Sequence, residues 1–273
     1  MNPNSQTSAT QTETISKIKC RLCGADASFK FELPVLKSRQ VKYYMCTVCE
    51  SLQTQTPDWL ELAYGDNLAA ADSGAAQRTL RNLVVSYFVS RLSGAKNILD
   101  IGGGDGLLCR FLRDYSLNAF VQDKYSRPIY AQHFTKPNFN QPDMVLAFEV
   151  LEHFANPALE LESLFKQDAS FYLMSTGIYS GEDADWWYLV PITGQHIFFY
   201  SRKALDYVSK KFSLNHIIQG NLILFYKPTK LMPLRVGLLR FIMRREISWL
   251  LRSVVVLLPN KGTAKDHLIE NRE

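Results

Sequence analysis

The stretch Asn97-Ile98-Leu99-Asp100-Ile101-Gly102-Gly103-Gly104-Asp105-Gly106 is an apolar strand that ends on a carboxylate and breaks into glycine. A strand-to-glycine turn of this kind brings bare backbone close to a nucleotide cofactor, and its spacing bears on which one. A dinucleotide cradle needs G-x-G-x-x-G, so that a pyrophosphate rests on the next helix N-terminus. Counted from Gly102, that pattern requires glycine at position 107, which is Leu107. The residues fit D-x-G-x-G-x-G instead, at Asp100, Gly102, Gly104 and Gly106. This suits a phosphate-free, positively charged nucleoside such as S-adenosylmethionine (SAM). The alternative for the loop is a tight turn that binds nothing.

The chain on either side alternates strand and helix. Residues 119–122 form an apolar strand that delivers Asp123, placed to accept hydrogen bonds from ribose hydroxyls. Residues 143–148 form another, which Glu149-Val150-Leu151-Glu152-His153 carry off its C-terminal end, where open α/β sheets hold ligands. A helix over 157–166 and a strand over 171–175 follow. The segment 177–199 then combines Asp183, Asp185, Trp186, Trp187, Tyr188, Gln195 and His196 and is read as a substrate wall or lid, or else as an apolar insert on the sheet. Ser201 is placed to cap a helix over 202–212. Residues 216–218 and 222–226 flank Gln219-Gly220-Asn221 as a closing hairpin.

Ahead of this unit, Cys20-x-x-Cys23 and Cys46-x-x-Cys49 have the spacing of two zinc knuckles. A closed four-thiolate site leaves no position for chemistry, so the expected role is structural. Cys109 reads as a small buried residue. At 273 residues the chain accommodates one sizeable core and an appended module. The expected organisation is a disordered tail over 1–16, a zinc ribbon over 17–56, a catalytic unit over 57–228, an amphipathic helical segment over 229–260 and a flexible tail over 261–273. The first sixteen residues have no basic start and no apolar run, so a secretory signal is not expected and the expected compartment is the cytoplasm. The net charge of +5 is too mild to argue for nucleic acid.

Asp100 to Gly106, Asp123 and Ala147-Phe148-Glu149-Val150-Leu151-Glu152-His153 resemble the strand motifs of class I SAM-dependent methyltransferases. With the leading cysteine knuckles, the chain is similar to zinc-ribbon methyltransferases of sugar and glycan biosynthesis. The resemblance spans about residues 18–227 and implies an α/β fold, a doubly wound Rossmann-like seven-stranded sheet with a terminal antiparallel hairpin, plus the small ribbon. It also implies SAM as cofactor, a structural zinc ion, and a sugar, glycan or nucleotide-linked sugar as acceptor. Deoxysugar C-methyltransferases of this group carry Tyr-His-Glu-His before an aromatic pair and a serine. His196 matches the last histidine, while Thr193, Gly194 and Gln195 replace the other three residues, which leaves O- and C-methylation both open.

Transfer from a sulfonium is an in-line displacement, so the protein chiefly positions the acceptor, and a base takes its proton. His196 is the expected base, with His153 as second candidate. Asp100, Gly102, Gly104, Gly106, Asp123 and Glu149 are the expected cofactor-side residues, and Cys20, Cys23, Cys46 and Cys49 the metal ligands. No metal is expected at Glu149-x-x-Glu152-His153, since no further ligand is evident. Two other functions remain open. One is a ribbon-bearing rRNA or other nucleic-acid methyltransferase, disfavoured because Phe148-Glu149-Val150 lacks the Asn/Asp-Pro-Pro-aromatic segment of base methylation. The other is a SAM- and zinc-binding scaffold without turnover. Residues 231–258 are apolar but broken by arginines, too interrupted to span a bilayer. They are expected to dock on the domain or a dimer partner, or to lie on an anionic membrane surface.

Overall fold

The computed structural model describes residues 18–65 and 74–270; the predicted tail over 1–16 lies outside them. Four strands open the chain: β1 (Ile18–Lys19), β2 (Asp26–Val35), β3 (Arg39–Cys46) and β4 (Leu52–Thr54). β2 and β3 form a long antiparallel hairpin whose inward residues Val35, Val41 and Tyr43 are buried. Helices α1 (Leu60–Gly65) and α2 (Ala75–Ser93) lead into the alternating unit. α2 ends on Gly94, whose left-handed backbone returns its N–H to the Ser90 carbonyl.

The run that opens on Asn97 forms β5 (Asn97–Ile101), followed by α3 (Leu107–Asp114), β6 (Asn118–Gln122), β7 (Met144–Phe148), α4 (Pro157–Phe165) and β8 (Phe171–Ser175). Strands β5 to β8 are apolar through most of their length and pair in parallel, as expected for strands covered on both faces. α4 starts with Pro157 in its first turn and the Asn156 side chain accepting from Leu159 N. After β9 (Phe198–Phe199), Ser201 caps α5 (Arg202–Lys211) through Ala204 N. β10 (Asn215–Gln219) and β11 (Leu222–Tyr226) pair antiparallel, and β11 adds antiparallel to β8.

The main sheet has six described strands in the order β10-β11-β8-β7-β5-β6, not seven. The stretch between β6 and β7 contains Pro128, Pro137 and Pro142 and makes no strand. Proline supplies no N–H to a ladder, and no alternating apolar run stands between these prolines. The β6 edge is partly covered instead by Phe134, whose carbonyl accepts from Val121 N.

The ribbon strands and the catalytic unit share a sheet. β9 pairs with β4, giving the order β1-β2-β3-β4-β9. A second apolar core, separate from that of the main sheet, packs Leu33, Val41 and Tyr43 against Tyr188, Leu189 and Ile197. The cysteine module therefore supports segment 177–199 directly.

The C-terminal region forms two helices, α6 (Pro233–Ile242) and α7 (Arg245–Val256), which pack on α2 and bury Leu239, Ile242, Ser248 and Val255. The tail from Lys261, expected to be loose, forms α8 (Lys261–Glu270). It is anchored because Asp266 meets the buried Arg113 in a two-pronged 2.7 Å pair and the partly exposed Arg110 at 2.6 Å. Paired arginines under a buried carboxylate hold a helix whose own apolar face is weak. Among the described residues, no helix is long and apolar enough to cross a membrane.

Candidate active site and cysteine centre

The glycine turn after β5 is built from left-handed backbone: Gly102, Gly104 and Gly106 have φ of 71°, 58° and 82°. Gly103 carries a different constraint. A Cβ there would meet Asp100 Oδ2 at 2.4 Å and Val121 at 2.7 Å, so the loop lies directly on the carboxyl of Asp100. Sequence reading singled out the alternate glycines and missed Gly103, because the close approach comes from the Asp100 side chain and from Val121 on β6, not from local φ.

Asp100 itself does not face the cleft. It is 1% exposed, and burial above all, then the charge of Asp123, push its pKa up to about 8. Its Oδ2 has no hydrogen-bond partner among the described residues. It thus supports the loop from beneath. Asp123, at the end of β6, holds the loop from the other side: Oδ2 accepts from Gly104 N at 2.9 Å, and Oδ1 accepts from Tyr125 N and Ser126 N at 2.8 and 2.7 Å.

Between these groups lies a cleft of about 560 Å³, lined among others by Gly102, Asp123, Tyr125, Glu149, His153 and Tyr64. Gly104, Gly106 and His196 stand outside its lining. Tyr64 and Tyr125 stack at 4.5 Å with planes 7° apart and form an aromatic wall that sequence reading did not find. Its partners come from α1 and the β6 loop, too far apart in the chain for a local signal.

Past β7 the backbone turns sharply, with Glu149 at φ 54°. A non-glycine residue in that region is strained, and here it turns the carboxylate into the site. Glu149 Oε1 accepts from Ser175 Oγ at 2.5 Å, and burial, followed by the charge of Glu152, raises its pKa. Glu152 is fully buried; its Oε1 accepts from Tyr188 Oη at 2.6 Å, and Oε2 has no partner among the described residues. His153 Nδ1 lies 3.1 Å from the Gln195 carbonyl and 3.0 Å from Tyr64 Oη. Burial, then His196, lowers the His153 pKa to about 4, so this ring is neutral near pH 7.

His196 arrives from the other core, its Nδ1 2.7 Å from the Tyr188 carbonyl and its ring 5.0 Å from that of His153, perpendicular to it at 85°. Its segment is pinned by Trp59 Nε1 donating to Gly194 O and Gln195 Nε2 donating to Ala63 O, both at 2.8 Å. Of the aromatic triplet 186–188, Tyr188 reaches the site. Trp186 packs against Tyr179 and Phe199, and Trp187 is exposed. Asp183 pairs with Lys30.

At the opposite end of β4 the four cysteines converge. Cys20 Sγ lies 3.6 Å from Cys49 Sγ, and Cys23 Sγ 3.5 Å from Cys46 Sγ. A tetrahedral zinc ion with bonds of about 2.3 Å to sulfur needs sulfurs about 3.8 Å apart, close to these values. Cys46 Sγ also accepts from the backbone N–H of Val48 and of Cys49 at 3.4 Å, as a thiolate would. The four residues are thus positioned to hold zinc. Arg21, inside the first knuckle, donates to Ile197 O at 2.6 Å and Ala155 O at 3.0 Å, tying the knuckle to the chain on both sides of the histidine pair. Cys109 is fully buried on α3.

A doubly wound sheet with a glycine turn, an acidic end to the second strand and a cleft between them has the form of a nucleotide-cofactor site. A family model described as a methyltransferase domain matches residues 74–217, and the chain belongs to that family. It is a SAM-dependent methyltransferase. No protein of curated function matches the chain. Among solved structures it is similar to the methyltransferase domain of bacterial CtHen1, with 15% identity over 54% of this chain and 97% of that one and a TM-score of 0.36. It is similar to human N-acetylserotonin methyltransferase in complex with SAM, with 15% identity, 55% and 52% of the two chains and a TM-score of 0.39. An O-methyltransferase family protein from Burkholderia thailandensis gives 13% identity, 63% and 64% of the chains and a TM-score of 0.45. The chain spans about half the length of the human enzyme.

Proposed function

We propose that this enzyme methylates a hydroxyl of a sugar, glycan or nucleotide-linked sugar. The observation that carries this reading is the pairing of His153, which lines the cleft with Glu149, and His196, whose ring meets that of His153 at 5.0 Å. A polar acceptor needs several hydrogen-bonding groups on one wall, and this wall supplies Glu149, His153 and Gln195, with His196 packed against His153 beside it. The sulfonium cofactor supplies an electrophilic methyl group. Gly102 and Gly104 give it room, Asp123 holds the ribose side of the cleft, and Glu149 faces the acceptor side. Asp100 and Gly106 serve the cofactor indirectly, through the shape of the loop.

The Nδ1 of His196 faces a carbonyl, so that nitrogen carries the proton and Nε2 presents a lone pair. His196 is assigned as the base: the acceptor oxygen gains the methyl group, its proton passes to Nε2, and the broken bond's electron pair stays on sulfur. His153 orients the acceptor. Methyl-labelled SAM offered with nucleotide-sugar pools tests the reading. Labelled sugar from the wild type and at least a hundredfold less from His196→Ala support it; label appearing in RNA instead overturns it.

In this reading residues 17–56 are the zinc-bearing unit, 57–228 the transfer unit and 229–260 a surface element. That element carries six basic side chains against one acid, Glu246, which is the whole of the chain's net charge of +5. Its outward rows, Leu234-Leu238-Phe241 on α6 and Leu250-Val254-Leu257 on α7, are exposed, with Leu234 and Leu257 at 85%. Apolar rows flanked by arginine suit an anionic bilayer surface, and we assign them to peripheral membrane contact. Sedimentation with phosphatidylglycerol vesicles, lost in Arg244→Glu/Arg245→Glu and in high salt, supports this; a dimer in solution with no vesicle binding overturns it.

A further inference from the structure

We propose that Glu152, His153 and His196 form a binding site for a first-row divalent transition metal, and that this ion receives two neighbouring hydroxyls of the acceptor. The sequence shows Glu152 and His153 side by side without a further ligand. The fold supplies one: a donor atom from each of the three residues lies within 4.8 Å of the other two. The juxtaposition is enforced by backbone, since Ile197 N donates to Glu152 O at 2.9 Å and thereby fixes the residue before it.

The chemistry of the three donors points to a cation. Both imidazoles turn Nδ1 toward a backbone carbonyl, His153 toward Gln195 O and His196 toward Tyr188 O. A carbonyl only accepts, so each Nδ1 holds the ring proton and each Nε2 is left with a lone pair. Metal-binding histidines are oriented in this way, by a hydrogen bond from the nitrogen that does not bind the ion. Glu152 is fully buried, Tyr188 occupies Oε1, and Oε2 has no partner among the described residues. A buried acceptor without a donor is costly. A ligand atom of each residue lies within 4.8 Å of the other two, Glu152 Oε2 has no donor among the described residues, and a divalent cation between them satisfies that oxygen. Two imidazoles with one carboxylate favour manganese, iron, cobalt or zinc over calcium or magnesium, which take mostly oxygen.

Three protein ligands leave further coordination positions, and His153, one of the three, lines the cleft. Adjacent positions are spanned by the two oxygens of a vicinal diol, a group that sugars carry and simple alcohols lack. This part of the inference rests on the proposed function. An oxygen bound to the ion loses its proton more readily. Its proton then passes to water in the open cleft, the carbon–sulfur bond breaks with its electron pair on sulfur, and the carbon–oxygen bond forms. With the ion bound, the His196 lone pair is a ligand and the ion activates the oxygen, whereas without it His196 is the base, and removal of the ion separates the two roles.

Manganese titration followed by the loss of the free-ion paramagnetic signal tests the site without turnover. The intact protein, its cysteine centre loaded with zinc, is expected to bind one manganese ion per chain. Affinity should fall at least tenfold in Glu152→Gln and in His196→Ala. Calorimetric SAM binding kept in both variants shows that they are folded. Manganese binding that is absent, or equal in wild type and variants, overturns the site. Full turnover in the presence of a chelator that leaves the cysteine centre loaded also overturns it and leaves His196 as base. Variant-sensitive manganese binding without turnover of any sugar diol supports the site while removing the acceptor assignment.

Discussion

Tyr188 donates a 2.6 Å hydrogen bond to Glu152, a residue 36 positions earlier in the chain, and so joins the core under the ribbon hairpin to the turn that follows β7. The phenol also lies 3.2 Å from Glu149 Oε2. One hydroxyl therefore sets the position of both carboxylates on the acceptor wall.

Removing that hydroxyl tests its role. Tyr188→Phe keeps the ring packing and deletes a hydrogen bond to a charged group, a loss of about 1.5–3 kcal/mol. We expect kcat to fall about 10- to 100-fold with SAM affinity unchanged, measured by steady-state kinetics and calorimetry. Gly177→Ala provides an independent check, because a Cβ at that position would stand 2.3 Å from the Tyr188 ring and displace it. The same kinetic loss is expected there, with a lower melting temperature.

The tether between Asp123 and the glycine turn governs cofactor binding. Asp123→Ala removes the acceptor for Gly104 N, Tyr125 N and Ser126 N together, so the loop loses its hold and the ribose side its carboxylate. At about 1 kcal/mol for each of the three hydrogen bonds lost, SAM affinity should weaken by up to roughly 100-fold. Calorimetric titration measures it; an unchanged dissociation constant would place the cofactor elsewhere.

The cysteine centre is expected to control activity as well as stability. Cys49→Ser should remove zinc and lower the melting temperature by on the order of 10 °C, since structural zinc contributes directly to folding. Because β4 pairs with β9 and Arg21 holds Ile197, turnover should fall more steeply than SAM binding. Metal content, calorimetric scans and kinetics on one sample separate these effects.

Asp100 gives a pH signature. A carboxyl whose pKa rises to about 8 on folding holds an extra proton in the native state. Stability therefore falls as pH rises from about 4 to about 8, by up to about 1.4 kcal/mol per pH unit, and levels off above. Asp100→Asn stays neutral throughout and should abolish that decline. Urea midpoints at about pH 5 and pH 8 are expected to differ in the wild type and to converge in the variant. The same slope in both would exonerate Asp100.

The anchored C-terminal helix makes a further expectation. Asp266→Ala leaves Arg113, 7% exposed, without its carboxylate, and unpairing a buried charge costs about 3–5 kcal/mol. Urea unfolding should show that loss, and hydrogen exchange should show α8 released.

Much of this architecture was legible along the chain. β5, β6, β7 and β8 stand where apolar runs end on Gly102, Asp123, Glu149 and Ser175, because burial on both faces demands such runs. The two Cys-x-x-Cys pairs announced their centre because a knuckle is a local turn. The missing seventh strand was legible too, in Pro128, Pro137 and Pro142, but was overridden by the pattern of the family. Asp266 was not, since nothing near it in sequence shows that Arg110 and Arg113 wait on α3.

What the residues alone determined were features acting over a few positions: the parallel strands, the glycine turn, the knuckles and the acid at the end of the second strand. Backbone sterics and side-chain periodicity operate at that range. Tertiary structure alone decided that Asp100 would lie beneath its loop, that Tyr64 would stack on Tyr125, and that His196 would join Glu152 and His153. Those meetings depend on the β4–β9 pairing and on a second core under the ribbon hairpin, and contacts between distant segments leave no trace in the periodicity of either one.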